Sequence, residues 1–170
     1  YFVHERHHND PNIPRFEGWW GHDKATRFEM PETFVPIPTA EAWQLSNAPV
    51  MAMAPLRASL DLFDRAGAEN LRAKSRKLTA YLQEVLEEVA RVSGSAFEII
   101  TPTEERGAQI SLLVHGYGRP LFDYLMEQGV IADWREPNVI RMAPVPLYNS
   151  FEDVRAFGII LLNYLNEQGA

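Results

Sequence analysis

Arg141 stands inside an otherwise apolar run, Val139-Ile140-Arg141-Met142-Ala143, which a Pro-x-Pro corner closes. A guanidinium placed there must be paired, because burying an unpaired charge is costly. Two kinds of partner satisfy it. One is a structural carboxylate such as Asp133 or Glu136; the other is the carboxylate of a ligand, which a planar fork grips better than an ammonium would. The stretch "GWWGH" sets Trp19 and Trp20 between Gly18 and Gly21, with His22 next. It reads as an aromatic plug between domains, or as a ligand wall whose indole N–H donates to an anion, with the glycines as a flexible hinge. In "WQLSNAPV", Ser46 and Asn47 lead into a proline, where their side chains can cap a turn or meet a ligand. His4, His7 and His8 lie close to Asp10, but Pro11 and Pro14 provide no rigid frame, so a solvated loop is expected there and no metal.

These residues need elements to position them. Residues 1–53 hold four of the five histidines, three of the four tryptophans and six of the twelve prolines, with little periodicity. They read as loop with short strands and turns. Tyr1-Phe2-Val3 reads as the end of a buried strand, and the sequence as the later part of a larger protein. "MPETFVPIPTAEAW" is extended, since each proline pushes its predecessor out of the helical region. From Pro55 the period becomes helical: Leu56, Leu60 and Phe63, then Leu71, Leu78, Leu82, Val85 and Val89, with a break near Gly67 and an end before Gly94.

"AFEIITP" and "AQISLLVHG" read as strands on either side of a polar turn. "RPLFDYLMEQG" is a short amphipathic helix capped at Gly129. "VIADWREPNVIRMAP" gives two strands around Pro137-Asn138, and "NSFEDVRAFGIILLNYLNEQ" a closing helix capped by Asn149 or Ser150. The order helix, strand, strand, helix, strand, strand, helix predicts an α+β domain with helices packed on a small, mainly antiparallel sheet.

Composition narrows the function. A net charge of −7 without a Lys/Arg run argues against nucleic acid as a partner. The absence of cysteine excludes disulfides and thiolate chemistry. No apolar run reaches the length of a membrane span, so a soluble, cytoplasmic protein is expected.

Taken together, "GWWGHDKATRFEM", "WQLSNAPV", "FEIITP" with "ERGAQISL", and above all "GVIADWREPNVIRMAPVPLYNSFEDV" resemble the kynureninase family, in its order and spacing across nearly the whole chain. The resemblance implies the C-terminal portion of a fold-type-I protein of the pyridoxal-phosphate-dependent transferase type. Residues 1–53 would be the tail of its large α/β cofactor-binding domain, and residues 54–170 its small C-terminal α+β domain. It implies pyridoxal 5'-phosphate as cofactor, with Trp19 and Asn47 on the phosphate across a homodimer interface. Trp20, His22 and Ser46 would line the pocket for the substrate's aromatic ring, and Arg141 would clamp its α-carboxylate. The implied reaction is hydrolysis of kynurenine or 3-hydroxykynurenine to anthranilate or 3-hydroxyanthranilate and alanine.

The family's Schiff-base lysine has no match here. Lys24 lies in the tryptophan loop, and Lys74 and Lys77 lie on the long helix. No catalytic residue is therefore expected within these 170 residues, which alone should not turn over kynurenine. A related fold-type-I lyase or transaminase, and a non-catalytic association domain, are the alternatives.

Overall fold

The computed structural model describes residues 1–94 and 97–168. Along the chain it divides into two compact units, Tyr1–Ala58 and Ser59–Ala170.

As far as Pro49 the first unit is made of single turns, as its prolines and weak periodicity require. Glu5–His7, Trp19–Gly21, Arg27–Glu29 and Ala40–Trp43 are 3-10 turns. They are tied together by backbone bonds, Asp23 N–H to Val35 O at 2.7 Å and Ile37 N–H to Gly21 O at 3.0 Å, around one isolated bridge between His22 and Pro36. The buried strand expected at Tyr1-Phe2-Val3 does not form. Tyr1 and Phe2 are 84% and 86% exposed, because no strand lies alongside to complete a ladder among the described residues.

Val50–Ala66 (α1) begins five residues before Pro55 and carries that proline inside it. The N–H groups of Ala52 and Met53 both donate to Pro49 O at 3.0 Å. The turn at Pro49 therefore launches the helix, and Pro55 forfeits a single backbone bond near its start. No residue of α1 is buried; its apolar stripe of Leu56, Leu60 and Phe63 remains half-exposed. Gly67, at φ +78°, separates α1 from Ala68–Ser93 (α2). The break expected near Gly67 is thus present and complete, at a backbone angle that favours glycine.

The second unit is the α+β sandwich that the order of elements predicts. Phe97–Ile99 (β1), Ile110–Val114 (β2), Asp133–Arg135 (β3) and Val139–Met142 (β4) form one antiparallel sheet in the order β1-β2-β4-β3. Ala96, placed by sequence in the first strand, lies outside the described residues. Gly118–Glu127 (α3) ends with Gly129 at φ +84°, one residue past its cap. In Phe151–Gln168 (α4), Ser150 Oγ accepts from the Asp153 N–H at 3.1 Å while Asp153 returns a bond to the Ser150 N–H at 2.7 Å. Asn149, the other candidate cap, instead accepts the Val145 N–H at 2.8 Å.

Alternation decides which strand residues meet the helices. Ile110, Leu112, Val114 and Ile140 are fully or almost fully buried against Leu78, Leu86, Leu121, Leu125 and Leu161. Ser111 and Arg141 are paired in register and share the opposite side of the sheet with Asp133 and Arg135. The sheet thus presents an apolar face to α2, α3 and α4 and a polar face away from them.

The helices α2 and α4 approach closely at Gly158 of α4, where an added Cβ would collide with Val85 Cγ1 of α2 at well under 3.0 Å. A valine is stiff about χ1 and cannot swing aside. Gly158→Ala is expected to cost about 1–3 kcal/mol by overpacking, measured by urea unfolding. Val85→Ala in the same chain should recover most of that loss, as coupling between touching residues requires.

Candidate functional site

The Trp19–Gly21 turn is shaped by close approach. A Cβ on Gly18 would lie 2.6 Å from the Leu45 carbonyl carbon and closer still to the Leu45 Cα and O. A Cβ on Gly21 would lie 2.5 Å from Ala42 O. Gly18 itself has φ −84°, which any residue adopts. The flexible hinge expected of these glycines is therefore overturned: they are small so that the turn can press against 42–45, immediately before Ser46 and Asn47. Ser46 and Asn47 are exposed, and Gln44 Nε2 donates to Ser46 O at 3.2 Å. The backbone contact brings the tryptophan turn and the Ser46-Asn47 corner together.

Trp19 and Trp20 pack edge-to-face, centroids 5.2 Å apart, and Trp19 continues onto Phe28 at 5.6 Å. Trp20 is half-buried, whereas Trp19 is 45% exposed and free to meet a ligand. His22 is buried, and both its ring nitrogens are engaged. Nδ1 accepts the Val35 N–H at 3.1 Å, which leaves the proton on Nε2 to donate to Thr26 Oγ1 at 3.1 Å. Thr26 in turn donates to Asp23 Oδ2 at 3.1 Å. His22 also lines a cavity of about 390 Å³ with Glu17, Trp19, Arg27, Phe28 and Phe34. Its ring can form a wall there, but its nitrogens hold the loop.

Arg27 was not singled out by sequence as a site residue, yet it organises this unit. It is buried, its Nη2 donates to Trp20 O at 2.9 Å and to His22 O at 3.1 Å, and its guanidinium lies over the Trp20 ring at 4.7 Å. The available signal was an arginine seven residues after an aromatic pair, the reach of a tight loop returning on itself.

The histidine segment is locally satisfied. His4 Nδ1 accepts the Arg6 N–H at 3.2 Å, His7 Nε2 accepts from Arg6 Nε at 2.8 Å, and His8 Nε2 meets Val3 O at 3.0 Å. Among the described residues no group of three His, Cys, Asp or Glu could hold a metal ion.

In the second unit Arg141 on β4 faces Asp133 directly across the β3–β4 pair. Arg141 Nε and Nη2 both donate to Asp133 Oδ2, the first at 2.9 Å, and Arg135 Nη2 reaches the same oxygen at 3.0 Å. The carboxylate pairing anticipated for Arg141 is thus present. It uses only the Nε–Nη2 side of the fork, so the Nη1 end is left for a second acceptor. Two arginines on one carboxylate carry a net positive charge, and Arg141 is 31% exposed, so the triad can receive an anion. The hydrogen bond from Arg141 holds the Asp133 carboxyl below its ordinary range, with the charges of Arg135 and Arg141 adding and desolvation opposing.

The corner that follows Arg141 is fixed from outside. Lys74 Nζ donates to Pro146 O at 2.8 Å, and the N–H groups of Tyr148 and Asn149 donate to Val145 O. The Glu136–Pro137 peptide on the other side of β4 is cis. A larger cavity, about 550 Å³, lies beyond this corner, lined mainly by apolar groups including Leu82, Ile131, Met142, Pro144, Tyr148 and Phe157. None of the sequence-predicted site residues lines it.

The cofactor implied by resemblance can be tested against these groups. Trp19, 45% exposed, and Asn47, exposed, are brought onto neighbouring turns, and an indole N–H with a side-chain amide is a donor set suited to a phosphate. Of the three lysines, Lys24 is paired with Glu41 at 2.7 Å, Lys74 donates to Pro146 O at 2.8 Å, and Lys77 is exposed on α2.

Residues 71–161 match the family model described as the kynureninase C-terminal domain. The chain is 56% identical over 162 residues to a kynureninase of Flavobacterium psychrophilum, covering 94% of this chain and 38% of that protein. It is also 56% identical over 161 residues to a kynureninase of Stenotrophomonas maltophilia, covering 92% and 37%. The chain therefore spans less than two-fifths of the length of these relatives. Among solved structures it is similar to the cystine C-S lyase C-DES in complex with its product cysteine persulfide, with TM-score 0.70 and 18% identity over 88% of this chain and 38% of that one. A mutant of C-DES with glycine covalently linked to its pyridoxal-phosphate cofactor gives a TM-score of 0.69. That likeness establishes the fold-type-I architecture, with the α+β sandwich as its small domain. With the family model covering more than half of its length, the chain belongs to the kynureninase C-terminal domain family.

Proposed function

We propose that this chain is the C-terminal portion of a cytoplasmic, homodimeric pyridoxal-phosphate enzyme that hydrolyses L-kynurenine, and its 3-hydroxy analogue, to anthranilate or 3-hydroxyanthranilate and L-alanine. Residues 1–53 belong to the tail of its large domain and residues 54–170 form its small domain. The observation that carries the reading is Arg141: a half-buried guanidinium on a sheet face, fixed on one side by Asp133 and open on the other.

In this reading Arg141 grips the substrate α-carboxylate through the free end of its fork. Trp19 and Asn47 hold the cofactor phosphate. Trp20, His22 and Ser46 bound the aryl pocket, with His22 contributing shape rather than a proton, since both its nitrogens are already bonded. When bound, pyridoxal 5'-phosphate supplies the electron sink for deprotonation at Cα and cleavage of the Cβ–Cγ bond. The lysine that would hold it is not one of Lys24, Lys74 or Lys77.

The test compares the complete protein with residues 1–170 alone, each supplied with pyridoxal phosphate and kynurenine. The complete protein should release anthranilate, followed by its fluorescence, with alanine in equal amount, and the 170-residue chain should release none. Turnover by the 170-residue chain, or a complete protein that transaminates or cleaves other amino acids and leaves kynurenine intact, would refute the reading.

A further inference from the structure

A buried arginine normally sits beside a carboxylate, because two charges removed from water together cost less than one. Arg27 does not. It is only 9% exposed, and among the described residues no carboxylate lies within ion-pair distance of it. Glu17 and Glu32, which line the adjoining cavity, are exposed. The guanidinium is met instead by two carbonyl oxygens and two indole rings. Its Nη2 donates to Trp20 O and His22 O, its carbon lies 4.7 Å from the Trp20 centroid and 5.9 Å from that of Trp19, and its Nε is buried without a hydrogen-bond partner.

Two consequences follow from this geometry. The carbonyls of Trp20 and His22 lie on either side of Gly21, so one nitrogen bridges the end of the Trp19–Gly21 turn. The positive charge is also retained. A cation against an indole face draws density from the ring and so makes the ring N–H a stronger donor to an anion.

We propose that Arg27 is a positioning residue for the phosphate end of the cofactor site: it locks the Trp19–Trp20 turn and places an uncompensated positive charge behind the exposed indole of Trp19. This deepens, and rests on, the reading of Trp19 as a phosphate contact. Arg27 does not itself touch the cofactor; it acts through Trp19 and the turn.

The experiment titrates the complete apoprotein with pyridoxal phosphate and, separately, with pyridoxal, which has the same aldehyde and no phosphate. The quantity read is the ratio of the two affinities. Arg27→Met should shrink the wild-type preference for the phosphorylated ligand about ten-fold. Arg27→Lys should recover part of it, because an ammonium keeps the charge but cannot stack on an indole while donating to two carbonyls. A general loss of packing weakens both ligands alike, so an unchanged ratio in Arg27→Met overturns the proposal. Should that variant fail to accumulate, Arg27→Lys decides by the same ratio: a shrunken preference supports the proposal and the wild-type value overturns it. Trp19→Phe separates this inference from the reading beneath it. A preference lost in Trp19→Phe and kept in Arg27→Met removes only the role of Arg27, whereas a preference kept in Trp19→Phe removes the phosphate contact itself.

Discussion

Gly18→Ala is expected to weaken pyridoxal-phosphate binding by the complete protein about 10- to 100-fold while leaving the small domain folded. The added methyl would collide with the backbone of Leu45, its Cα, carbonyl carbon and oxygen, all well under 3.0 Å away. A flexible side-chain end could give way, but a backbone cannot do so without moving its neighbours. The neighbours on one side are Trp19 and Trp20, and on the other Ser46 and Asn47. A displacement of about 1 Å between two halves of a binding site can cost about 10²-fold, and overpacking of this kind costs about 1–3 kcal/mol in stability. Gly107→Ala is the control: its Cβ would meet nothing within 4 Å and its φ is not in the glycine-favouring region, so it should stay within about 0.5 kcal/mol of wild type. Cofactor titration and thermal unfolding of the two variants, side by side, give the answer. Equal cofactor affinities in Gly18→Ala and wild type would show that the pressed contact does not set the site.

That expectation reverses what the residues suggest when read in a row. Two glycines beside two tryptophans suggest freedom of motion, and only the approach of Leu45, 27 positions away, shows that they provide space. Arg27 was hidden for the same reason, since its partners are carbonyl oxygens and ring faces that no spacing rule places. Local signals were more readable. Alternation in Ile110–Val114 and the 3.6 period from Leu78 to Val89 placed the sheet and its covering helix. Asn149 or Ser150 announced the start of α4, and the reciprocal backbone bonds of Ser150 with Asp153 decide for Ser150. The helical period after Pro55 was also legible, but the start of α1 was not, because Pro49 O captures the first donors before the apolar stripe begins. The apolar run at Tyr1–Val3 misled because strand character requires a neighbour.

Arg141→Met in the complete protein is expected to lower kcat/KM for kynurenine about 10²- to 10³-fold, chiefly through KM. A bidentate bond to a carboxylate is among the stronger polar contacts, since each charge-assisted bond contributes about 1.5–3 kcal/mol. Arg141→Lys should recover little: Asp133 would take the single ammonium, and no second prong would remain for the ligand. The decarboxylated analogue of kynurenine separates a clamp from a structural ion pair. If Arg141 grips the carboxylate, the analogue should bind wild type and Arg141→Met with similar affinity; if the residue only holds β3 to β4, the two ligands should lose affinity together. The pH dependence provides an independent check. Because Asp133 has a lowered pKa, its contribution to stability is present above the unfolded-state value of about 3.9 and disappears as pH falls through the lower folded value. The Asp133 carboxylate that aims Arg141 therefore stays ionised between about pH 5 and 9, and Asp133→Asn should change the height of the kcat/KM profile in that window without moving its inflections. A profile whose inflections move in Asp133→Asn would mean that this carboxylate exchanges a proton during turnover, and the clamp would then have to be replaced by an acid–base role.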